Sequence, residues 1–349
     1  MAYTAINKST DQFNVKAYSG NSSTQSITGV GFQPDWVWIK KRDGSDDHVL
    51  YDVVRGATKN IHSNTTDNED TQTDGLTSFD SDGFSLGADG KSNQGHTYVS
   101  WNWKAANSQG SSNTDGSINT TYTSANTTSG FSICKWTGTG SNATIGHGLG
   151  VAPSVVMCKR LSGGAQNWYV FHKRMWDEDN TGYINLNGSD GKSQAASVFQ
   201  STAPTSTVFS TGTSFVSSPY IAYCFAEKAG FFNSGIYKGN GNANGAFIYT
   251  GFKPAFVIYK RFGANGDNWM MKTSELNSVS NGNQNNYYIK ADENGAETTG
   301  STATGIDFLS NGFKLRNTDT SGNTTSDYIY MAWAEAPLVG SNNIPATAR

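Results

Sequence analysis

The sequence predicts an all-β protein built from three tandem antiparallel β-sandwich repeats of the jelly-roll or lectin-like kind. One observation is a ten-residue sequence motif that recurs in three similar copies along the 349 residues. Another is the composition, since 39 glycines, 7 prolines and 12% aromatic residues are typical of short strands joined by polar turns. A third is the scarcity of apolar residues at helical spacing, which disfavours long helices.

The repeated motif combines a proline, a run of apolar residues and a basic pair. It occupies residues 32–41, 151–160 and 252–261. An aromatic strand closes each copy, at residues 98–103, 220–227 and 328–335. Motifs in register at three places divide the chain into modules of roughly 100 residues, a size that can bury a core of its own.

The three copies are expected to meet at two joints of different character. We place copy 1 at residues 1–106, copy 2 at 119–230 and copy 3 at 231–349, with a linker at 107–118. Residues 105–117 contain no apolar residue larger than alanine, which is typical of a flexible linker, so copy 1 is expected to pivot. Copies 2 and 3 follow each other directly and are expected to be joined stiffly.

Local signals place the strands within each copy. The segment that begins at Trp36 is continuously apolar, and this lack of alternation predicts a strand with both faces covered. The proline of each motif precedes this strand, at a position where its missing N–H is tolerated. Asp82-Gly83, like the Asn-Gly of copy 3, precedes alternating apolar residues and is a strong hairpin signal. Six or seven such strands in each copy predict a sandwich.

Charge and hydropathy exclude several classes of protein. Charged residues make up 15% of the chain, against about 25% in a usual soluble domain, which favours an extracellular or virion-borne β-protein. The net charge of -3 argues against a nucleic-acid partner, because phosphates require a basic face. No apolar run is long enough for membrane insertion. The N-terminal residues lack the basic and apolar regions of a secretory signal, so none is expected.

Residue types that carry chemistry do not form a recognisable catalytic or metal-binding pattern. The five histidines show no metal-ligand spacing, and the acidic clusters lie in turn-rich loops. We therefore expect no enzyme activity, no catalytic residue, no cofactor and no metal site. A carboxylate pair for glycan cleavage and a calcium loop around Asp80–Gly83 are the weaker alternatives. The basic pairs are expected to be solvated strand ends, and the cysteines buried thiols (Cys134, Cys158 and Cys224).

Aromatic residues in polar stretches are the one indication of a ligand. A solvent-facing indole beside Asn and Asp is typical of surfaces that stack sugar rings. The candidate ligand-surface aromatics are Trp168, Tyr169, Trp176 and Trp269. The alternative is that these side chains fill sandwich cores.

The sequence of the repeats resembles a β-repeat family common in marine tailed bacteriophages. Members of that family are sometimes found beside concanavalin A-like lectin modules. The resemblance runs from about Phe13 to Leu338, and the segments that carry it include residues 18–48, 52–71, 76–87, 129–156, 249–261 and 308–316. Copy 2 departs most from the shared pattern, with Val151 in place of an aromatic residue. A specialised ligand or partner is therefore expected there first.

The resemblance implies a non-enzymatic virion structural protein, most simply a tail fibre or appendage component involved in host attachment. A capsid decoration protein and a carbohydrate-binding module are the alternatives. Other virion proteins and a host cell-surface glycan are the partners that it implies, and the virion is the expected location. By analogy with phage fibres the chain would form a homotrimer, although three modules in one chain could also occupy a threefold site as a monomer.

Overall fold

The computed structural model describes residues 4–276, 284–299 and 304–339. It confirms the all-β class, because antiparallel sheets hold nearly all of the regular structure. The short helical segments in these ranges are α1 (Lys173–Trp176), α2 (Ala196–Phe199) and the 3-10 turns Ser9–Asp11 and Ser274–Leu276. None of the helices in these ranges is long and apolar enough to cross a membrane.

Copy 1 packs a four-stranded sheet against a three-stranded sheet. Its strands are β1 (Phe13–Ser19), β2 (Gln25–Thr28), β3 (Trp36–Lys41), β4 (Val49–Asp52), β5 (Lys59–Asn60), β6 (Asp70–Thr71), β7 (Leu76–Asp80), β8 (Gly83–Leu86) and β9 (Thr97–Trp103). The large sheet has the order β1-β9-β3-β4, the small sheet the order β2-β8-β7, and β5 pairs with β6.

Copy 2 repeats the order of this large sheet and adds a strand at each of its two edges. Its strands are β10 (Tyr122–Asn126), β11 (Phe131–Thr137), β12 (Ala143–Gly146), β13 (Val155–Arg160), β14 (Tyr169–His172), β15 (Ile184–Asn185), β16 (Val208–Thr211) and β17 (Pro219–Phe225). The large sheet has the order β10-β11-β17-β13-β14-β15, and the small sheet pairs β12 with β16.

Copy 3 has a five-stranded large sheet and a four-stranded small sheet. Its strands are β18 (Phe232–Lys238), β19 (Phe247–Tyr249), β20 (Phe252–Arg261), β21 (Met270–Thr273), β22 (Gln284–Asn285), β23 (Ile289–Lys290), β24 (Ile306–Leu309), β25 (Gly312–Leu315) and β26 (Asp327–Pro337). The sheets have the orders β18-β26-β20-β21-β23 and β19-β25-β24-β22.

Strand β3 shows how each large sheet covers two cores. All of its residues are buried, which confirms the prediction of two covered faces. Trp36 and Trp38 join a hydrophobic cluster to which all three copies contribute. Val37 and Ile39 alternate with them and belong to the sandwich core of copy 1. The large sheet therefore packs against its own small sheet on one side and against the other copies on the other.

The shared cluster contains three aromatic side chains at equivalent places, which we call the central triangle. Trp103, Phe225 and Trp333 occupy matching positions of β9, β17 and β26. Their ring centroids lie 5.5 Å apart for Trp103–Trp333, 5.3 Å for Phe225–Trp333 and 6.4 Å for Trp103–Phe225. Mutual contact between three equivalent residues means that the copies are arranged in a cycle.

Backbone hydrogen bonds repeat around this cycle at three junctions. One set of N–H to carbonyl bonds joins Glu69 to Leu161 at 2.9 Å, Lys192 to Phe262 at 2.8 Å and Glu297 to Arg42 at 2.7 Å. A second set joins Gln166 to Thr66 at 3.0 Å, Gly266 to Ser189 at 3.0 Å and Asp46 to Asn294 at 2.9 Å. The junction of copy 3 with copy 1 closes the ring without a covalent connection.

Residues 107–118 are hydrogen-bonded to copy 1. The backbone N–H of Asn107 donates to the Asp35 carboxylate at 2.9 Å, and the side chain of Gln109 donates to the Val54 carbonyl at 2.9 Å. A pivot of copy 1 would separate Trp103 from the other two rings of the central triangle and expose them to water. The flexible joint at residues 107–118 stays a prediction.

Candidate functional site

Two of the four candidate ligand-surface aromatics are buried at the junctions. Trp168 and Trp269 have no exposed surface. The indole N–H of Trp168 donates to the His62 carbonyl of copy 1 at 2.8 Å, and that of Trp269 donates to the Asn185 carbonyl of copy 2 at 2.8 Å. The neighbouring copy thus covers each ring, and neither can stack on a ligand, which corrects the expectation from the sequence.

His48 occupies the position in copy 1 that these tryptophans occupy in copies 2 and 3. Its Nδ1 accepts a hydrogen bond from the Trp38 indole at 2.8 Å, so its Nε2 donates to the Lys290 carbonyl of copy 3 at 3.0 Å. Burial lowers the pKa of His48 to about 3, which keeps the ring neutral. The three residues are therefore structural anchors between copies.

The other two candidates, Tyr169 and Trp176, are half-buried in copy 2. The Tyr169 ring packs edge-on against Tyr183 at 5.2 Å, and the Trp176 ring lies 6.2 Å from Phe171. Both side chains pack against the sandwich core of that copy. The structure does not bring the four candidates together into one surface.

The first lysine of each basic pair is buried, which corrects the expectation that the basic pairs are solvated strand ends. Lys40, Lys159 and Lys260, which we call the junction lysines, are at most 1% exposed. The Lys260 ammonium donates to the Gly188 carbonyl of copy 2 at 3.0 Å and also to the Asp267 carbonyl. Burial lowers the pKa of each junction lysine to about 8. Lys159 and Lys260 therefore bond across junctions, whereas Lys40 donates to carbonyls of its own copy. Burial makes all three poorly accessible as nucleophiles.

The three cysteines are buried and unpaired, as predicted. Burial raises the pKa of Cys158 and of Cys224 well above the ordinary value for a thiol, which disfavours the reactive thiolate. Across the part of the chain that the structure describes, no three His, Cys, Asp or Glu side chains are grouped as metal ligands.

Small cavities lie within copies 2 and 3. One of about 170 Å³ is lined by Tyr288, Lys290 and Glu293 in copy 3, beside the junction with copy 1. Another of about 230 Å³ lies near the end of copy 2 and includes Val151 and Glu227. Sites for small organic ligands usually span roughly 300–1,000 Å³. These cavities are therefore below the usual size for such a ligand.

An exposed aromatic pair lies elsewhere, on the small sheet of copy 3. Phe247 is 45% exposed and Tyr249 is 56% exposed, and we call them the outer aromatic pair. Sequence reasoning missed them because each resembles an ordinary strand residue. A signal was present, since the matching short strand of copy 1 reads Ser26-Ile27-Thr28 and carries hydroxyls at the same alternate positions.

Comparison with known proteins identifies one family. Residues 8–337 match the family described as Domain of unknown function (DUF7483). No curated protein and no solved structure matches the chain. Because the match covers nearly the whole sequence, the chain belongs to the DUF7483 family.

Proposed function

We propose that the chain is a non-enzymatic structural protein of a tailed-phage virion, a tail fibre or appendage component that takes part in host attachment. The observation that carries the proposal is the closed ring of three sandwiches around the central triangle. Such a ring presents three outer surfaces from a single chain, which suits a scaffold that displays loops and sheet faces. The resemblance of the repeats to phage sequences supplies the biological setting.

Capsid decoration is the second candidate, and the cyclic arrangement favours it. The junction contacts repeat three times within one chain, so a single copy offers approximate threefold geometry to a partner. A threefold position of a shell or of a trimeric tail protein could then accept one chain, because symmetric partners match symmetric surfaces. In that case a homotrimer is not required for docking.

Labelling of purified virions with gold-conjugated antibodies against the chain tests these proposals. Label on the tail supports the appendage role, whereas label distributed over the head supports decoration. A chain that is present in infected-cell extract but missing from purified particles would overturn both. Counting chains per particle by quantitative mass spectrometry then decides whether one chain or three occupy each position.

A further inference from the structure

The outer aromatic pair is unusual among the aromatic residues of this protein. Within residues 4–276, 284–299 and 304–339, Phe247 and Tyr249 are the only aromatic side chains that are exposed rather than buried or half-buried. Leaving two rings in water forfeits the stabilisation that their burial would give. An exposed pair at alternate positions of one strand therefore indicates a role outside the fold.

Comparison of the three copies shows that the fold does not require aromatic residues at these positions. The central isoleucine of each matching strand faces a phenylalanine of the sandwich core, in the pairs Ile27–Phe84, Ile145–Phe209 and Ile248–Phe313. The outward neighbours are Ser26 and Thr28 in copy 1, Thr144 and Gly146 in copy 2, and Phe247 and Tyr249 in copy 3. Copies 1 and 2 form the same strand with small residues, so the rings are a property of copy 3 alone.

The two rings lie on the solvent-exposed face of the sheet, which we call the platform. Phe247 and Tyr249 are two residues apart on the edge strand β19, so they project from the same face about 7 Å apart. Gly312 lies opposite Tyr249 on β25, and the Phe247 ring lies next to it, since a Cβ atom there would approach Cε2 of Phe247 to 3.1 Å. The backbone itself requires this glycine, because the same Cβ atom would collide with the Ile248 carbonyl, just as one at Gly83 of copy 1 would collide with the Ile27 carbonyl.

Polar groups stand beside this platform. Lys314 is opposite Phe247, and its ammonium donates to the Gly245 carbonyl at 3.0 Å, next to the start of β19. The exposed loop of residues 240–244 leads into the same strand. Its backbone is held by Asn side chains, since the N–H of Asn242 donates to Asn240 Oδ1 at 3.0 Å. Amide groups on an ordered loop are suitable partners for hydroxyl groups.

We infer that the outer aromatic pair of copy 3 is a binding site for uncharged pyranose units of a glycan chain. The C–H face of a pyranose would stack on the two rings, and its hydroxyl groups would bind Lys314 and the amides of residues 240–244. This combination of an apolar face with surrounding donors and acceptors matches the chemistry of a sugar ring.

The size of the platform favours a glycan over a protein partner. Two half-exposed rings offer roughly 200 Å² of apolar surface. A stable protein interface buries about 800 Å² on each partner. A single pyranose ring needs far less area, and repeated sites on a virion would raise the avidity of a weak interaction. The inference deepens the proposed attachment role and depends on that role for its biological meaning.

Titration of the purified full chain with cellohexaose, maltohexaose and chitohexaose by isothermal calorimetry tests the site. We expect at least one hexasaccharide to bind. The double variant F247S/Y249T, which gives copy 3 the residues of copy 1, should bind it at least about tenfold more weakly. The control V216T changes an exposed apolar residue of copy 2, which is 38% exposed, and should bind like the wild type.

Folding of each variant is checked by its urea midpoint, and the single variant F247S replaces the double variant if the latter is destabilised. Failure of every hexasaccharide to bind the wild type, or equal binding by the double variant, overturns the inference. Retention on host-cell envelopes that is lost after protease treatment but survives periodate oxidation would assign the face to a protein and also overturn it. Virion labelling is independent of this result, so the site and the virion role can fail separately.

Discussion

Replacement of Lys260 by methionine should change stability in a way that depends on pH. Burial lowers the pKa of this amine from 10.5 to about 8 in the folded protein. Between these two values the unfolded chain binds a proton that the folded chain does not, so the free energy of unfolding rises with pH. The rise from pH 7 to 9.5 amounts to about 2 kcal/mol for one such lysine. The methionine variant lacks this contribution.

The effect of the substitution at pH 7 itself should be small, because two terms oppose each other. Methionine avoids the cost of burying a charge, which a pKa shift of this size puts at about 3 kcal/mol. It also removes the hydrogen bonds to the carbonyls of Gly188 and Asp267, each worth roughly 1.5–3 kcal/mol when the donor is charged. The pH dependence is therefore more informative than the value at any one pH.

Urea unfolding followed by tryptophan fluorescence at pH 7, 8, 9 and 9.5 measures this difference. The gap between the wild type and Lys260→Met should widen in favour of the wild type by about 2 kcal/mol over this range. Lys238→Met, which removes an exposed lysine of copy 3, is the matched control and should keep the wild-type pH dependence. Parallel curves for the wild type and Lys260→Met would show that Lys260 does not release its proton at a lower pH in the folded protein. Above pH 10 the free energy of unfolding of both proteins should fall, because burial raises the pKa of tyrosines such as Tyr259.

Further predictions concern the triangle, the closing junction and the thiols. Trp103→Ala should lower the free energy of unfolding by about 3–5 kcal/mol. Calorimetry of this variant should show one transition, since the triangle belongs to all three copies, and separate transitions for single copies would contradict this. Glu297→Ala leaves Arg42 without its ion-pair partner at 2.5 Å, so amide exchange should accelerate most at the junction of copies 3 and 1, and uniform exchange would argue against it. Cys158 and Cys224 should react with a disulfide reagent only after unfolding, and rapid reaction of the folded protein would show that they are accessible.

The modular plan of the chain was predictable because it depends on patterns that repeat within a short window. Each of these patterns reflects the local conformation of the backbone: the repeated motif with its proline, the continuously apolar strand at Trp36 and the glycine turn at Gly83. The burial of the cysteines followed from the apolar strands around them. Local hydrogen bonding and side-chain alternation are the physical causes of such strands and turns, so the sequence carries them directly.

The candidate site was predicted poorly for a related reason. Trp168 stands beside the exposed Asn167 in a polar stretch, and nothing local shows that copy 1 covers its ring. Lys260 carries a charge that favours solvent, and its burial depends in part on the Gly188 carbonyl, which is distant in the sequence. Phe247 resembles a core residue, although the structure leaves its side chain 45% exposed. Exposure of each side chain depended on contacts between segments far apart in sequence.

Three sandwich modules in tandem, with strands and turns at defined places, can be read directly from the order of the amino acids. Closure of these modules into a ring, with Trp103, Phe225 and Trp333 in mutual contact, becomes visible only when the copies are packed together. This is because a strand's sequence specifies which of its faces are apolar but not which surface will cover each face. That choice is made by the free energy of packing the copies together, which no single copy contains.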